Sequence, residues 1–345
     1  MENFSFDHSA LMDWFRENKR SFPWREAPSP YSVWVAEVML QQTRAAVVVP
    51  YFARWMELFP DIRTLAQADY QIVLKSWEGL GYYSRVRNLY EGAKQVVSLH
   101  HGILPASKEE LQKIKGLGPY TVGAILSFGF GQKFPCVDGN VKRVLSRYFA
   151  LEEDIDGQKG GRKIWEFAEK ILEEDVSPRI SEALIELGAL ICQKKPKCSL
   201  CPMQMSCKAF SLDLQELLPI KKRRVSYTDL IRTVLIIECE GEFLVRKCER
   251  DQIMADLYEF PFLEGELQPA AAEKWLASTW NLTTSFYRKG EREKQAFTRF
   301  RVLLHPLFFR AEKKMDVLHF SWKSLEKLHE CAFSSGHRKI ITNNL

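Results

Sequence analysis

Four of the eight cysteines in this chain lie within sixteen residues, and this cluster limits the possible folds more than any other feature. The four are Cys192, Cys198, Cys201 and Cys207, with the spacing C-x5-C-x2-C-x5-C. The N-terminal sequence lacks the basic flank and continuous apolar stretch of a secretory signal, so we expect a cytoplasmic protein whose thiols bind metal rather than form disulfides. Four thiolates on one compact loop favour a 4Fe-4S cluster. A zinc site, or four buried cysteines without a metal, are the alternatives.

The length of the chain and its charge narrow the function classes. A chain of 345 residues is long for one hydrophobic core and predicts two domains. No apolar run reaches the ~20 residues that a membrane-spanning helix needs, so we expect no membrane role. The net charge is +5, and residues 101–150 contain seven Lys or Arg against three acidic residues. This local excess predicts one basic face, which suits nucleic acid.

The hydrophobic pattern changes once along the chain. In the first part, apolar residues recur every three to four positions, which predicts helices throughout. A basic run, 221–224, then precedes two β-branched runs around a Glu-Gly turn, which predict strands with helices between and after them. The fold class is therefore multidomain. We expect an all-α domain at 1–210 that contains the cysteine loop 192–207, a linker at 211–227, and an α+β domain at 228–345.

A glycine-rich turn separates two helical segments near the middle of the first domain. Gly116 and Gly118 allow the backbone to turn tightly and to present N–H groups at the head of the second helix. A DNA phosphate would fit there. A plain tight turn explains the same residues without any ligand.

Two acidic residues stand in contrasting sequence contexts. Asp138 precedes a helix, where the helix dipole and the capping N–H groups favour its ionised form. Glu37 lies among apolar residues, so burial should raise its pKa and keep it protonated near neutrality. Such a pair could supply a proton and stabilise a developing cation. The alternatives are an ordinary helix cap for Asp138, and a buried salt bridge or a solvated helix face for Glu37.

These motifs, in this order, resemble the helix-hairpin-helix DNA glycosylases that carry an iron-sulfur loop, and within them the MutY family. The resemblance covers about residues 8–210. The segments that carry it are Pro23-Trp24-Arg25, 37–43 (EVMLQQT), 77–87 (WEGLGYYSRVR), 116–121 (GLGPYT), 137–141 (VDGNV), 182–188 (EALIELG) and the four cysteines. The second half resembles the Nudix-like C-terminal domain of that family through 257–261 (LYEFP) and the closing helices.

The resemblance implies a reaction, the removal of adenine from double-stranded DNA that contains 8-oxoguanine:adenine or guanine:adenine mispairs. Glu37 is then the residue that protonates adenine N7. Asp138 stabilises the oxocarbenium-like sugar, with Tyr120 and Asn140 beside it. The resemblance also implies a 4Fe-4S cluster on the cysteine loop, and a bacterial, nucleoid-associated protein that we expect to act as a monomer.

The same resemblance assigns DNA-contacting residues. The pocket for the extruded base is expected from Trp24, Arg25, Leu40 and Glu182. The gap left in the duplex is expected to be filled by Gln42 and Tyr82, with Thr43 and Leu80 near the orphan base. Lys115, Gly116 and Gly118 are expected to contact a phosphate.

Tyr120 determines the expected type of reaction. Endonuclease III, which also cleaves the DNA strand, has a Lys nucleophile at this point of the hairpin. Lys115 does not occupy that position. The resemblance therefore implies a monofunctional glycosylase.

The chain departs from the family pattern at three points. The first cysteine gap is five residues instead of six, and the second domain lacks the carboxylate set of Nudix hydrolases, so we expect it to recognise DNA rather than hydrolyse pyrophosphates. The Phe-Ser-His segment that probes 8-oxoguanine in the family is here Phe297-Thr298-Arg299. We therefore expect altered discrimination between 8-oxoguanine and guanine.

Two other functions fit part of the same sequence. A bifunctional pyrimidine or thymine-mismatch glycosylase would differ mainly in the shape of its base pocket. A catalytically silent DNA-binding or redox module would need only the cluster. Tyr120 and the second domain argue against the first, and the presence of both Glu37 and Asp138 argues against the second.

Overall fold

The structure is a computed structural model, and it describes residues 5–173, 177–221, 226–250, 252–297 and 299–345. The chain divides into two compact units, one formed by Met1–Gln67 with Asn88–Arg224 and the other by Ala68–Arg87 with Val225–Leu345. The second unit therefore includes a segment from the first half of the sequence, which the hydrophobic pattern did not indicate. Thr298 and residues 222–224 of the basic run lie outside the described residues.

Helices dominate the chain up to residue 211, which confirms the predicted all-α region. A π-helical turn, Ile125–Gly129, continues one helix, and a 3-10 turn, Cys198–Leu200, lies in the cysteine loop. The α-helices are α1 (His8–Asn18), α2 (Pro23–Glu26), α3 (Pro30–Leu40), α4 (Ala45–Leu58), α5 (Ile62–Gln67), α6 (Tyr70–Ser76), α7 (Ser84–His100), α8 (Lys108–Leu111), α9 (Pro119–Ala124), α10 (Gly139–Tyr148), α11 (Gln158–Glu173), α12 (Ile180–Leu190) and α13 (Lys208–Ser211).

The rest of the chain forms a mixed sheet with helices, which confirms the predicted α+β region. The long strands β1 and β7 pair in parallel, while β2, β5 and β6 run antiparallel to their neighbours. The elements are β1 (Thr228–Cys239), β2 (Glu242–Lys247), β3 (Tyr258–Glu259), β4 (Phe262–Glu264), α14 (Pro269–Trp280), β5 (Thr284–Lys289), β6 (Glu293–Phe297), β7 (Phe300–Ala311), β8 (Phe320–Ser324), α15 (Leu325–Glu330) and α16 (Ser335–Asn344).

Helix α3 is apolar almost all round, and this composition explains its central place in the first unit. It starts with a capping box between Ser29 and Ser32 and with Pro30 at its first position. Residues 31–39 of the helix are all buried, Glu37 among them. An acidic residue on such a helix has no solvent-facing side available, so the fold carries its carboxyl into the interior.

The cysteine loop packs on the core of the first unit. That core is built from α1, α10, α11 and α12, with Leu11, Phe15 and Leu145 among its buried members. Cys192, Cys201 and Cys207 contact its edge. In the described residues, we find no helix with the length and apolar character needed to cross a membrane.

Candidate active site

A cavity of about 1260 Å³ lies in the first unit and brings most of the predicted site residues together. It is lined by the residues predicted for catalysis, by the predicted base pocket and by two of the predicted gap-filling and orphan-base residues. These residues are Trp24, Arg25, Glu37, Leu40, Gln42, Thr43, Tyr120, Asp138, Asn140 and Glu182. Glu37 and Asp138 therefore share one cavity, although they stand far apart in the sequence.

Glu37 projects from the buried face of α3 and is held by one neutral donor. The Tyr120 hydroxyl donates to Glu37 Oε2 over 2.5 Å. Burial raises the pKa of Glu37 to about 7; the Tyr120 hydrogen bond opposes the rise and the charge of Asp138 adds to it. The raised pKa that the sequence predicts is thus present, and a large fraction of the carboxyl keeps its proton at neutral pH.

Asp138 caps α10 and accepts three hydrogen bonds. Its Oδ1 accepts from the backbone N–H groups of Asn140 and Val141, both at 2.8 Å, and its Oδ2 accepts from Asn140 Nδ2 at 2.8 Å. These donors favour the carboxylate, as the sequence predicts. Burial nevertheless outweighs them, so the pKa of Asp138 lies above its ordinary value, which corrects the expectation drawn from the cap alone.

A second acidic pair, on α12, is held by arginines. Arg20 and Arg25 both bind the fully buried Glu186, Arg25 Nη2 at 2.9 Å from Glu186 Oε2. Burial acts to raise the pKa of Glu186, but the two arginines hold it below its ordinary value. Sequence reasoning missed Glu186 and Arg20, although Glu186 stands one helical turn after Glu182, which indicates a shared face.

Glu182 lines the cavity and has one buried carboxylate oxygen that accepts no hydrogen bond. Arg179 donates to Glu182 Oε2 from Nε at 3.0 Å and from Nη2 at 2.8 Å. Glu182 Oε1 lies 2.8 Å from Arg25 Nε, yet it accepts no hydrogen bond of good geometry. A buried acceptor in this state is suited to a donor supplied by a ligand.

Arg143 was not singled out from the sequence, and it supports the capped end of α10. Its guanidinium donates to Asn140 Oδ1 at 2.8 Å, to the Gly188 carbonyl at 2.8 Å and to the Cys192 carbonyl at 2.7 Å. Asn140 in turn donates to Asp138. The Asp138 carboxylate is therefore held by a chain of bonds that ends on the backbone of the cysteine loop.

The cysteine loop carries four free thiols. Burial raises the pKa of Cys201 and Cys207, and the charges of other thiols on the loop add to each rise, so these sulfurs are neighbours. Within the described ranges, no three His, Cys, Asp or Glu side chains are arranged to hold a single metal ion. Four cysteine thiols on one loop are the donor set that a 4Fe-4S cluster takes.

The hairpin between α8 and α9 uses its two glycines differently. Gly116 has φ 84°, and a Cβ there would come within 2.6 Å of Asn88 Cβ, so only glycine fits. Gly118 caps α9 and has open space where a side chain would point. Lys115 lies beside this turn and pairs with Glu91 at 2.6 Å.

Two of the residues predicted to enter the duplex have strained backbones. Gln42 has φ 58° and Tyr82 has φ 47°. Both values lie in the left-handed region of the backbone, which residues other than glycine rarely adopt. In the second unit, Tyr82 is 44% exposed whereas Leu80 is only 6% exposed. The Arg85 guanidinium fixes this turn by donating to the carbonyls of Leu80 and Gly81, each at 2.9 Å.

The segment predicted to probe 8-oxoguanine lies at the turn between β6 and β7. Phe297 ends β6, and its ring lies 5.7 Å from that of Phe300. The Arg299 guanidinium lies 5.3 Å from the centre of the Phe300 ring. Thr298, between them, lies outside the described residues.

Comparison with family models assigns both halves of the chain. Residues 35–170 match the HhH-GPD superfamily of base excision DNA repair proteins, and residues 232–343 match the NUDIX domain. The chain is 33% identical to an adenine DNA glycosylase of Buchnera aphidicola (subsp. Acyrthosiphon pisum), over 73% of this chain and 72% of the relative. It is 28% identical to that of subsp. Schizaphis graminum over 96% of both chains.

Other comparisons cover less of each protein. The chain spans only 38% to 58% of the length of several further curated relatives that it matches. Among solved structures, a thermostable thymine-DNA glycosylase is 26% identical with a TM-score of 0.54, over 59% of this chain and 94% of that chain.

Proposed function

The chain belongs to the adenine DNA glycosylase family, and from that premise we propose that it removes adenine mispaired with 8-oxoguanine or guanine in duplex DNA. The observation that carries the proposal is the shared cavity in which Glu37 and Asp138 lie. An enzyme that acts on a base must take it out of the stacked duplex into such a pocket. A cavity of about 1260 Å³ has room for a nucleoside.

Glu37 acts as the general acid. With a pKa near the operating pH, a large fraction of Glu37 carries a proton, and that form passes the proton to adenine N7. The protonated base is the better leaving group, so the bond between N9 and the sugar C1′ breaks and both electrons leave with the base. The Tyr120 hydroxyl keeps Glu37 Oε2 in place during this step.

Asp138 acts on the sugar. Loss of the base leaves positive charge shared between C1′ and the ring oxygen, and a fixed carboxylate stabilises that charge. The three hydrogen bonds to Asp138 fix its orientation before the charge forms. A water then adds to C1′ and loses one proton, which returns Glu37 to its protonated form and completes the hydrolysis.

The base pocket uses the Glu182 oxygen that accepts no hydrogen bond within the protein. Adenine carries an amino group on its six-membered ring, and Glu182 Oε1 can accept a hydrogen bond from it. Trp24, Arg25 and Leu40 line the same cavity and enclose the rest of the base. Arg179 and Arg25 hold the Glu182 carboxylate in place.

The cysteine loop would bind a 4Fe-4S cluster through Cys192, Cys198, Cys201 and Cys207. The cluster would be structural, fixing the loop. Arg147 donates to the carbonyls of Gln193 and Lys194 and contacts Cys192 Sγ at 3.3 Å, so its charge faces the loop sulfurs. The loop then presents its lysines to DNA phosphates.

The remaining assignments concern DNA binding. We assign the glycosylase domain to 1–210, the linker to 211–227 and the recognition domain to 228–345, acting as a monomer at the bacterial nucleoid. Residues near the duplex gap and the orphan base are Gln42, Thr43, Leu80 and Tyr82. Phosphate contacts are Lys115, Gly116 and Gly118, and contacts with 8-oxoguanine are Phe297, Thr298 and Arg299.

One measurement tests the proposal: release of adenine from duplexes with 8-oxoguanine:adenine or guanine:adenine, with a visible absorption spectrum of the same preparation. We expect free adenine, an intact sugar-phosphate strand until alkali is added, and the broad absorption of an iron-sulfur cluster. Release of thymine from a guanine:thymine duplex, with no release of adenine from the other two, would support the mismatch alternative. Equal rates on the two duplexes would show that Arg299 has removed the discrimination.

A further inference from the structure

The second unit contains a short stretch that lies between two parts with proposed DNA contacts. We call residues 331–338 the tether segment. On one side is the wedge turn, residues 77–83, which carries Leu80 and Tyr82. On the other side is β6, which leads to Phe297. All of these residues belong to one compact unit.

The wedge turn is bonded to the tether segment through a buried carboxylate. Glu78, whose side chain is 13% exposed, accepts from the Phe333 N–H at 2.8 Å and from Arg338 Nε at 2.9 Å, both at Oε1. The Tyr83 hydroxyl donates to the Phe333 carbonyl at 3.3 Å. Lys75 completes the contact by donating to Glu78 Oε2 at 2.6 Å. Both backbone groups of Phe333 are therefore engaged by the wedge turn.

Strand β6 is bonded to the same segment through a buried amide. Gln295 Oε1 accepts from the Ser334 hydroxyl at 3.0 Å and from the Gly336 N–H at 3.1 Å. The approach is so close that a Cβ at residue 336 would lie 2.5 Å from Gln295 Oε1 and 2.6 Å from Leu304 Cδ1. Glycine at this point lets the segment lie directly on the strand.

The two attachments are one residue apart. The Phe333 N–H is bonded to Glu78 and the Ser334 hydroxyl to Gln295, so two consecutive residues of the tether segment are bonded to the wedge turn and to β6. The Phe333 side chain is fully buried and stacks on Phe260, with ring centres 5.7 Å apart. A close-packed side chain at this point favours joint displacement of the two attachments.

We propose that the tether segment couples the wedge turn to the β6–β7 hairpin, with Glu78 and Gln295 as positioning residues for base extrusion. Contact of the hairpin with the base opposite adenine then sets the place of Leu80 and Tyr82 at the duplex gap. The inference rests on the proposed function, which gives both parts their contacts with DNA. Neither residue touches the reacting atoms.

A double-mutant cycle on the full-length protein tests the coupling. The variants are Glu78→Ala, Gln295→Ala and the two combined, and the readout is the fluorescence of 2-aminopurine placed opposite 8-oxoguanine, which rises when the base leaves the stack. We expect each single variant to slow extrusion on the order of 10-fold, less than the roughly 10²-fold that a 1 Å misplacement can cost, because the rest of the wedge turn stays bonded. The double variant should also be on the order of 10-fold slower, since either change breaks the same connection.

If the two residues acted independently, their reductions of the extrusion rate would multiply. A double variant about 100-fold slower than the wild-type protein would therefore overturn the coupling. An unchanged rate in either single variant would overturn it as well. Gln295→Glu keeps an acceptor oxygen toward Ser334 and Gly336, and it should restore extrusion to within about threefold of the wild-type rate. If this variant is as slow as Gln295→Ala, the hydrogen bonds to the tether segment are not the cause.

A matched control separates positioning from stability. Glu330→Ala removes a carboxylate that pairs with Lys327 at the surface, where its side chain is 66% exposed, and it should leave extrusion unchanged. Adenine release by the wild-type protein is measured in parallel. A protein that extrudes the base but releases no adenine would contradict the proposed function alone. Normal adenine release, together with a double variant whose slowing is the product of the two single effects, would contradict only the coupling.

Discussion

The buried centre of α3 and the N-terminal end of α10 each hold a carboxyl group in the same cavity, and they treat it differently. Glu37 is met by one neutral donor, and burial raises its pKa to about 7. Asp138 is met by three donors, and burial still leaves its pKa above the ordinary value. Burial raises the pKa of both groups, and the difference between them is one opposing hydrogen bond at Glu37 against three at Asp138, which favour the anion there.

Loss of the Glu37 proton should give the largest effect. Glu37→Gln keeps the shape of the side chain but has no acidic proton, so the rate of adenine release under single-turnover conditions should fall on the order of 10³-fold. Glu57→Gln, on the exposed part of α4, should keep the wild-type rate. A Glu37→Gln rate within threefold of wild type would remove Glu37 from the role of acid.

The same variant should be more stable than the wild-type protein at alkaline pH. Because the folded-state pKa of Glu37 is about 7 against an ordinary 4.5, its contribution to stability is present below about pH 4.5 and is lost as the pH rises through 7. Near pH 8, Glu37→Gln should raise the free energy of unfolding by about 3 kcal/mol. Denaturant titrations near pH 4.5 and pH 8 would check this, and a gain equal at both values would contradict it.

Removing the negative charge of Asp138 should lower the rate of adenine release less than the loss of the Glu37 proton. Asparagine at 138 can still cap α10, so the helix should remain folded while the carboxylate is lost. We expect Asp138→Asn to slow adenine release on the order of 10²-fold without changing the affinity for mispaired DNA. Weaker DNA binding with an unchanged rate would instead assign Asp138 to a structural cap.

The pH dependence of the rate of adenine release should distinguish the role of Glu37 from that of Asp138. The rate should fall tenfold per pH unit above about 7, because Glu37 loses its proton there. A second fall toward acid is expected where Asp138 is protonated, at a pH above that of an ordinary aspartate because burial raises its pKa. The alkaline fall should disappear in Glu37→Gln, and its persistence there would point to another acid.

The smallest effect on the rate of adenine release should come from the hydrogen bonds of Arg143, which supports Asp138 through Asn140. Arg143→Lys keeps the charge but cannot donate to Asn140, Gly188 and Cys192 together. We expect the rate to fall about fivefold, or about 1 kcal/mol, at saturating DNA. Arg54→Lys, at an exposed position of α4, is the matched control. An unchanged rate would show that Asn140 orients Asp138 unaided.

The sequence predicted the parts of the site that depend on local context. A carboxyl in an apolar helix and a carboxyl before a helix each have a recognisable pattern, so Glu37 and Asp138 could be found. Arg143 was not singled out because two of its partners, Gly188 and Cys192, lie outside its own helix, and Glu186 was missed although its spacing from Glu182 indicates a shared face. The direction of the change in the pKa of Asp138 was also missed, because the helix cap can be recognised in the sequence and the burial cannot.

In the fold, too, the features that depend on local sequence could be predicted and those that depend on long-range contacts could not. The change from helical to strand pattern was readable because it depends on residue spacing. The assignment of Ala68–Arg87 to the second unit was not, because it depends on long-range bonds such as those of Glu78 with Phe333 and Arg338. Such pairs have no spacing that a single sequence reveals.

That division of the chain has a consequence for synthesis on the ribosome. Residues 68–87 emerge early, but the rest of their compact unit begins only at Val225. The nascent chain must therefore hold this segment, with its apolar side chains, without its final contacts while all of Asn88–Arg224 is translated. The second unit closes last and through contacts of high sequence separation, which are slow to form.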